Sequence, residues 1–128
     1  MNTPQTVIVK SAGELSASDI EAWSDMREAN PALYSPYFHP GYTSLIGSLR
    51  TDAFVAIAMH GDKYKAFFPY QGPKPRGSGF ARPIGAPMTD YHGFICTPGA
   101  ALQTEKFLAD AGIGALHFSG FVEPGAFI

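Results

Sequence analysis

The spacing of apolar residues divides the chain into predicted strands and helices. Thr6–Lys10 is a short β-branched run and predicts the first strand. Ala53–Met59 is apolar at every position, which is typical of a strand buried on both faces. Apolar residues three and four positions apart predict a helix from Asp19 to Ala29. The predicted inner face of this helix carries Ile20, Trp23 and Met26, and its solvated face carries Glu21, Asp25 and Glu28.

Capping residues and prolines place the next elements. Ser16 or Ser18 is a suitable N-cap for the first helix, and Pro31 predicts its end at Asn30. A second helix is expected to start at Ser35-Pro36 or His39-Pro40 and to end near Arg50, because proline suits the first helical position. The tight turn His60-Gly61-Asp62 then leads into a partner strand, Tyr64–Gln71. Since Pro69 cannot donate a ladder hydrogen bond, it predicts a sheet edge or a bulge there.

The last third of the chain reads as a strand, a helix and a strand. Phe94–Cys96 and Gly114–Ser119 are the predicted strands, and Gly99–Ala111 is the predicted helix, with Gly112 as its stop. The element order is therefore β-α-α-β-β-β-α-β, an α/β fold with a mixed sheet flanked by about three helices, in a single domain over residues 1–128. A final strand with little chain after it leaves a sheet edge open, which a second domain, a second copy or a truncation would each explain.

Composition limits the classes of partner. The 128 residues suit one domain, and their net charge of −2 provides no electrostatic footprint for nucleic acid or an anionic membrane. No apolar run approaches the ~20 residues of a membrane span, and the N-terminus does not resemble a signal peptide. The single cysteine, Cys96, excludes an internal disulfide and fits a reducing compartment. We therefore expect a cytoplasmic protein. The four histidines show no metal-ligand spacing, so no metal site is predicted.

A loop rich in glycine and proline, Gly77–Gly93, holds the densest mixture of aromatic and ionisable residues. Its start, Arg76–Ala81, matches R-x-x-G-x-A, the pyrophosphate loop of acetyl-CoA-dependent N-acetyltransferases. That loop must open a helix, and the R-P-I-G-A-P that follows here cannot form one. We therefore predict no cofactor-binding residues in this chain.

Two short motifs are candidates for chemistry. Asp90, Tyr91 and His92 stand side by side before Gly93 and could supply a general base, a proton donor and ligand hydrogen bonds. The alternative is a structural turn in which the aspartate caps backbone N–H groups and the tyrosine packs. Tyr37 and His39, on a stiff segment after Ser35-Pro36, suit stacking on a sugar or acyl acceptor. The alternative is core packing between two helices.

Several blocks together resemble a known family. They are N-P followed by S-P-Y-F-H-P, then A-F-V-A-I-A, then F-F-P-Y-Q, then R-P-I-G-A-P-M-T-D-Y-H-G, and they lie between Trp23 and Ser119. In these blocks the chain resembles the N-terminal half of the CelD-like (cellulose-biosynthesis, BcsL-type) acyltransferases of the GNAT superfamily. Those bacterial proteins are similar in plan to the FemAB aminoacyltransferases, with two GNAT-like lobes in one chain.

The resemblance implies a partial GNAT-like lobe whose parent protein transfers an acyl group from acetyl-CoA or another acyl-CoA. It implies a sugar or an exopolysaccharide or envelope precursor as acceptor. Tyr37, His39 and Tyr91 would face that acceptor, and His92 or Asp90 would act as the base. The coenzyme belongs to the second lobe, so this chain alone is expected to bind none and to be inactive. The competing hypothesis is a non-catalytic binding or assembly module that forms a homodimer through its exposed sheet edge.

Overall fold

A three-stranded antiparallel sheet with helices on both faces forms the centre of the fold. The computed structural model describes residues 5–72, 82, 84, 92–97, 104–113 and 121–122. The elements in these residues are β1 (Gln5–Ser11), α1 (Ala17–Glu28), α2 (Pro40–Leu49), β2 (Ala53–His60), β3 (Lys63–Gln71), β4 (His92–Gly93), α3 (Thr104–Asp110) and β5 (Phe121–Val122). The α/β class is confirmed, and so is the predicted order of the elements from β1 to β3.

The central sheet has the order β1-β2-β3, and both pairings are antiparallel. Ile57 lies opposite Ile8 on one side and Phe67 on the other. The β2–β3 register shifts between Ala58 and Met59, so Lys65 is an extra residue on β3. This irregularity lies close to the turn at Gly61, whose positive φ of 67° suits glycine.

Two separate cores explain why β2 is apolar from Ala53 to Met59. Its odd-numbered residues 53, 55 and 57 join the core that α1 covers, together with Trp23 and Met26. Its even-numbered residues 54, 56 and 58 join a second core on the other face, with Phe107 from α3. Because successive strand residues point to opposite faces, a strand between two helical layers needs apolar side chains at every position. The predicted double burial of this strand is confirmed.

Helix α1 begins at Ala17, two residues before the predicted start, because Ser16 is its N-cap. The Ser16 hydroxyl accepts a hydrogen bond from the Asp19 backbone N–H at 3.1 Å, and the Asp19 carboxylate accepts one from the Ser16 N–H at 2.9 Å. This reciprocal arrangement is a capping box. The helix ends at Glu28, close to the predicted stop, and its predicted acidic face is exposed. Of the predicted inner face, Trp23 and Met26 are buried, but Ile20 is exposed.

Helix α2 packs unusually close to the short 3₁₀ turn Ala12–Glu14. A Cβ atom added to Gly47 would lie 2.7 Å from the Gly13 nitrogen and 2.8 Å from the Ala12 carbonyl carbon. These are backbone atoms, so they cannot rotate away as a flexible side chain could. Gly47 is therefore required for this contact.

Pro69 lies at a position on β3 where the backbone nitrogen points away from β2, so no hydrogen bond between the two strands is lost. On either side of it, the Phe67 N–H donates to the Ile95 carbonyl at 2.9 Å and the Gln71 N–H donates to the Arg82 carbonyl at 2.8 Å. Residues two apart on a strand direct their N–H groups to the same side, so the Pro69 nitrogen also faces away from β2. Pro69 thus lies on the last of the three strands, between two isolated bridges that Phe67 and Gln71 form with Ile95 and Arg82.

The structure corrects the predicted strand Phe94–Cys96. The strand β4 is His92–Gly93, while Ile95 forms a single antiparallel bridge with Phe67. All three residues from 94 to 96 are buried. Their apolar character therefore reflects burial in the core and not continuous hydrogen bonding to a neighbouring strand. Strand β4 pairs in parallel with β5, as expected for the two strands of a β-α-β unit, although in the described residues this pair is separate from the main sheet.

The other predictions for the C-terminal part are only partly covered by the structure. Thr104–Asp110 lies within the predicted helix, and Gly112, with φ of 78°, follows its end as predicted. The proposed strand Gly114–Ser119 and the loop residues Arg76–Ala81 lie outside the described residues. None of the helices that the structure describes has the length and apolar character needed to cross a membrane.

Candidate functional site

The segment from Asn30 to His39 consists of two consecutive 3₁₀ turns, Pro31–Leu33 and Pro36–Phe38. Each turn begins with a proline that follows a polar cap. The Asn30 side chain accepts a hydrogen bond from the Ala32 N–H at 3.1 Å. The Ser35 hydroxyl faces the Tyr37 N–H at 3.4 Å. Proline and cap together give this segment a defined backbone, in agreement with the stiff turn predicted from the sequence.

Two side chains of α1 attach this segment to the core. The indole N–H of Trp23, which is fully buried, donates to the Phe38 carbonyl at 2.8 Å. The Arg27 guanidinium donates to the Tyr34 carbonyl at 2.8 Å. Two backbone carbonyls of the segment thus accept hydrogen bonds from the helix, and the position of the segment follows from the position of α1.

His39 lies at the end of the segment and is the N-cap of α2. Its Nδ1 accepts a hydrogen bond from the Gly41 N–H at 2.8 Å. Since Nδ1 is the acceptor, the neutral ring carries its hydrogen on Nε2. His39 is exposed, so this N–H is available as a hydrogen-bond donor to a ligand.

Tyr37 lies two residues before His39 and is half-buried. Its ring meets the ring of Tyr42 edge-on, with a centroid separation of 5.3 Å and an interplanar angle of 74°. The structure therefore brings two predicted acceptor-binding residues, Tyr37 and His39, onto one short turn. It adds Tyr42, which lies in the first turn of α2.

Of the second predicted motif, Asp90, Tyr91 and His92, the structure describes only the last residue. His92 is the first residue of β4, and the description extends to its backbone only. Asp90 and Tyr91 lie outside the described residues. The predicted catalytic pair Asp90 and His92 and the predicted acceptor residue Tyr91 therefore remain predictions.

The residues that follow β4 connect to the first segment and to β3. Ile95 exchanges two backbone hydrogen bonds with Phe67, at 2.9 and 2.8 Å. The buried Asn30 side chain donates to the Cys96 carbonyl at 3.2 Å. Asn30 therefore joins the turn that leads to Tyr37 with the residues that follow β4, two parts of the chain that are 66 residues apart.

A polar cluster around Asp19 was not anticipated from the sequence. The Asp19 side chain is nearly fully buried, at 2% exposure. It accepts hydrogen bonds from Lys10 at 2.6 Å, from the Tyr64 hydroxyl at 2.7 Å and from the Ser16 N–H. Burial alone raises the pKa of Asp19, but the hydrogen bonds outweigh it and lower the pKa to about 2. Asp19 is thus an anion that links β1, α1 and β3, and so low a pKa makes it unsuited to act as a base at neutral pH.

Two further ionisable side chains lie in the second core. Burial raises the pKa of the Tyr70 hydroxyl to about 12, and this hydroxyl has no hydrogen-bond partner among the described residues. Burial also raises the pKa of the Cys96 thiol, against a smaller opposing effect of the nearby Lys65 charge. Since the thiolate is the reactive form of cysteine, Cys96 is a buried structural thiol.

The described residues contain no group of three or more histidine, cysteine, aspartate or glutamate side chains that could hold a metal ion. An open groove lies beside the C-terminal end of β1. It is lined by Val9, Lys10, Ser11, Glu14 and Phe54. It contains none of the residues that the sequence singled out.

No protein-family model, no curated protein and no solved structure matches this chain. The resemblance to acyltransferases therefore depends on the quoted motifs alone.

Proposed function

We propose that this chain is the acceptor-side, N-terminal lobe of a GNAT-type acyltransferase that acts on a sugar or on an exopolysaccharide or envelope precursor. The observation that supports it best is the turn bearing Tyr37 and His39. A half-buried aromatic pair lies next to an exposed imidazole whose Nε2 carries a hydrogen. An apolar surface beside a few fixed polar groups is the usual composition of a small-molecule site.

In this proposal the residues of the turn bind and orient the acceptor. The face of a sugar ring packs on Tyr37, and a sugar hydroxyl accepts a hydrogen bond from His39 Nε2. Trp23 fixes the turn through the Phe38 carbonyl, so little ordering is needed on binding. His92 or Asp90 would then take the proton of the acceptor group, the role that the resemblance gives them.

The caps of two helices support the placement of the acyl-CoA site on another lobe. The acyl-CoA pyrophosphate needs free N–H groups at a helix N-terminus. The N-terminus of α1 is occupied by Ser16 and Asp19, and that of α2 by His39. In this proposal the coenzyme binds to a different lobe, and only the acceptor meets the residues named here.

The test is saturation-transfer NMR with glucose, N-acetylglucosamine and cellobiose as probes, together with calorimetry using acetyl-CoA. We expect saccharide binding that Tyr37→Ala weakens about fivefold, because an aromatic contact contributes about 1 kcal/mol. The matched control is Tyr34→Ala, since Tyr34 is an exposed tyrosine of the same segment. His39→Asn should retain the helix cap, because asparagine is a good N-cap, but should weaken saccharide binding.

Two results would contradict the proposal. Acetyl-CoA binding to this chain would place the coenzyme site here rather than on another lobe. Absence of binding to all three saccharides, or equal effects of the Tyr37 and Tyr34 variants, would remove the acceptor role of the turn.

A further inference from the structure

Strand β1 is an edge of the central sheet. It pairs with β2 along all seven of its residues, Gln5–Ser11, without a register shift. None of the described residues pairs with its other side. Within the described part of the chain, alternate N–H and C=O groups of β1 therefore point outwards, towards the side on which a further strand can pair.

The side chains of β1 do not protect this edge. The strand contains no proline and no glycine, and its middle residue, Ile8, is an isoleucine that is 47% exposed. Its only charged residue is Lys10, and the ammonium group of Lys10 is bound to Asp19 at 2.6 Å. Natural edge strands are usually blunted by a free lysine, a proline or a bulge, and β1 has none of these.

We propose that two copies of this chain form a dimer through their β1 strands, paired antiparallel about a twofold axis at Ile8. The two three-stranded sheets would then form one continuous six-stranded sheet. The contact is the same on both copies, as a twofold axis requires.

The sequence of β1 is self-complementary about Ile8. In this register Ile8 lies opposite its own copy, Val7 opposite Val9, Thr6 opposite Lys10 and Gln5 opposite Ser11. All seven residues are paired, and no two like charges face each other. A register centred on Val9 would instead place Lys10 opposite Ile8 and leave Gln5 and Thr6 unpaired.

The pairing also extends both cores of the fold. Ile8 points to the same face as Lys10, the face that α1 covers, so its copy would bury the exposed isoleucine beside that helix. Ile20 of α1 is 36% exposed and adds apolar surface on the same face. Val7 and Val9 point to the other face, where they pack against the core of α3. A second β1 strand therefore offers apolar side chains to both faces.

This inference does not depend on the acyltransferase proposal. The same edge would pair in an enzyme lobe and in a non-catalytic module. Loss of the dimer would leave the saccharide experiment unaffected, and the two can fail separately.

The first test is the association state by sedimentation velocity over a concentration series. We expect a reversible monomer–dimer equilibrium whose dissociation constant rises at least about tenfold in Ile8→Glu, since that change places like charges opposite each other. The matched control is Leu49→Glu, because Leu49 is an even more exposed apolar residue, at 73%, but lies on α2. This control should leave the equilibrium unchanged.

The second test reads the register directly. In a Cys96→Ala background, Ile8→Cys should form a covalent dimer on mild oxidation, because facing residues of an antiparallel pair have Cα atoms about 4.5–5.5 Å apart and a disulfide spans about 4.4–6.8 Å. Thr6→Cys should not cross-link, since the two Thr6 positions would lie about 14 Å apart. A monomer at every concentration overturns the proposal. So does a dimer that tolerates Ile8→Glu, or one that cross-links through Thr6→Cys but not through Ile8→Cys.

Discussion

Replacement of Asp19 by asparagine tests the buried polar cluster most directly. Asp19→Asn keeps the shape of the side chain and removes its charge. In the native protein the carboxylate accepts hydrogen bonds from Lys10, Tyr64 and the Ser16 backbone. The variant loses the ion pair with Lys10 and weakens the other two bonds, because hydrogen bonds to a charged acceptor are the stronger ones.

The magnitude follows from the pKa of Asp19, which is lowered from 3.8 to about 2 in the folded protein. One pKa unit corresponds to about 1.4 kcal/mol, so ionised Asp19 contributes about 2 kcal/mol to the free energy of unfolding at pH 7. Because the folded pKa lies below the unfolded one, this contribution is complete above the unfolded pKa of 3.8 and is lost as the pH falls through 2. At pH 2.5 it should have decreased to about 0.8 kcal/mol.

The assay is urea unfolding at several pH values between 7 and 2.5, with fluorescence of the only tryptophan as the probe. Trp23 is fully buried, so its emission reports the loss of the core. Asp25→Asn is the matched control, since Asp25 lies on the exposed face of the same helix, and we expect it to change stability by less than about 0.5 kcal/mol. The reasoning is refuted if the deficit of Asp19→Asn is independent of pH, or if it equals the effect of Asp25→Asn.

Three further substitutions test other contacts by chemical unfolding. Gly47→Ala should lower the free energy of unfolding by about 1–3 kcal/mol through overpacking against the 3₁₀ turn. Gly13→Ala, whose added Cβ would have its nearest contact at 3.6 Å, should lower it far less. Equal effects of the two substitutions would contradict the close packing. Trp23→Phe should lower the free energy of unfolding by about 1–3 kcal/mol because the hydrogen bond from the indole N–H to the Phe38 carbonyl is lost, and circular dichroism replaces fluorescence as the readout; an unchanged midpoint would show that this bond is dispensable. Tyr70→Phe should leave stability unchanged or raise it by up to about 1 kcal/mol, since its hydroxyl has no partner in the described part of the chain; a clear loss would indicate that the hydroxyl has a favourable interaction.

The pattern of apolar residues was sufficient to predict those strands and helices whose burial follows from their own sequence. Strand β2 is buried on both faces, and its uninterrupted apolar run predicted this. The same reasoning misplaced β4, because the buried residues 94–96 are apolar without forming a continuous strand. Apolar character indicates that a residue is buried, but it does not specify which strand it pairs with.

The interactions of the polar residues could not be predicted in the same way. Asp19 follows Ser16 by three residues, a spacing that suits an N-terminal cap, and this much was open to prediction from the sequence. Its other partners, Lys10 and Tyr64, are 9 and 45 residues away, and they meet it only because β1 and β3 both lie beside α1. No short-range periodicity contains that information.

The geometry of the candidate site likewise depends on the core more than on its own loops. Trp23 stacks on Phe67 at 5.4 Å between ring centroids, and its indole N–H binds the Phe38 carbonyl. Phe67 in turn exchanges two hydrogen bonds with Ile95. One buried side chain is therefore hydrogen-bonded to the turn before His39 and stacked on Phe67, the residue that pairs with Ile95. Any displacement of Trp23 should move the two parts together, whereas a change in the exposed surface of either part should leave the other in place.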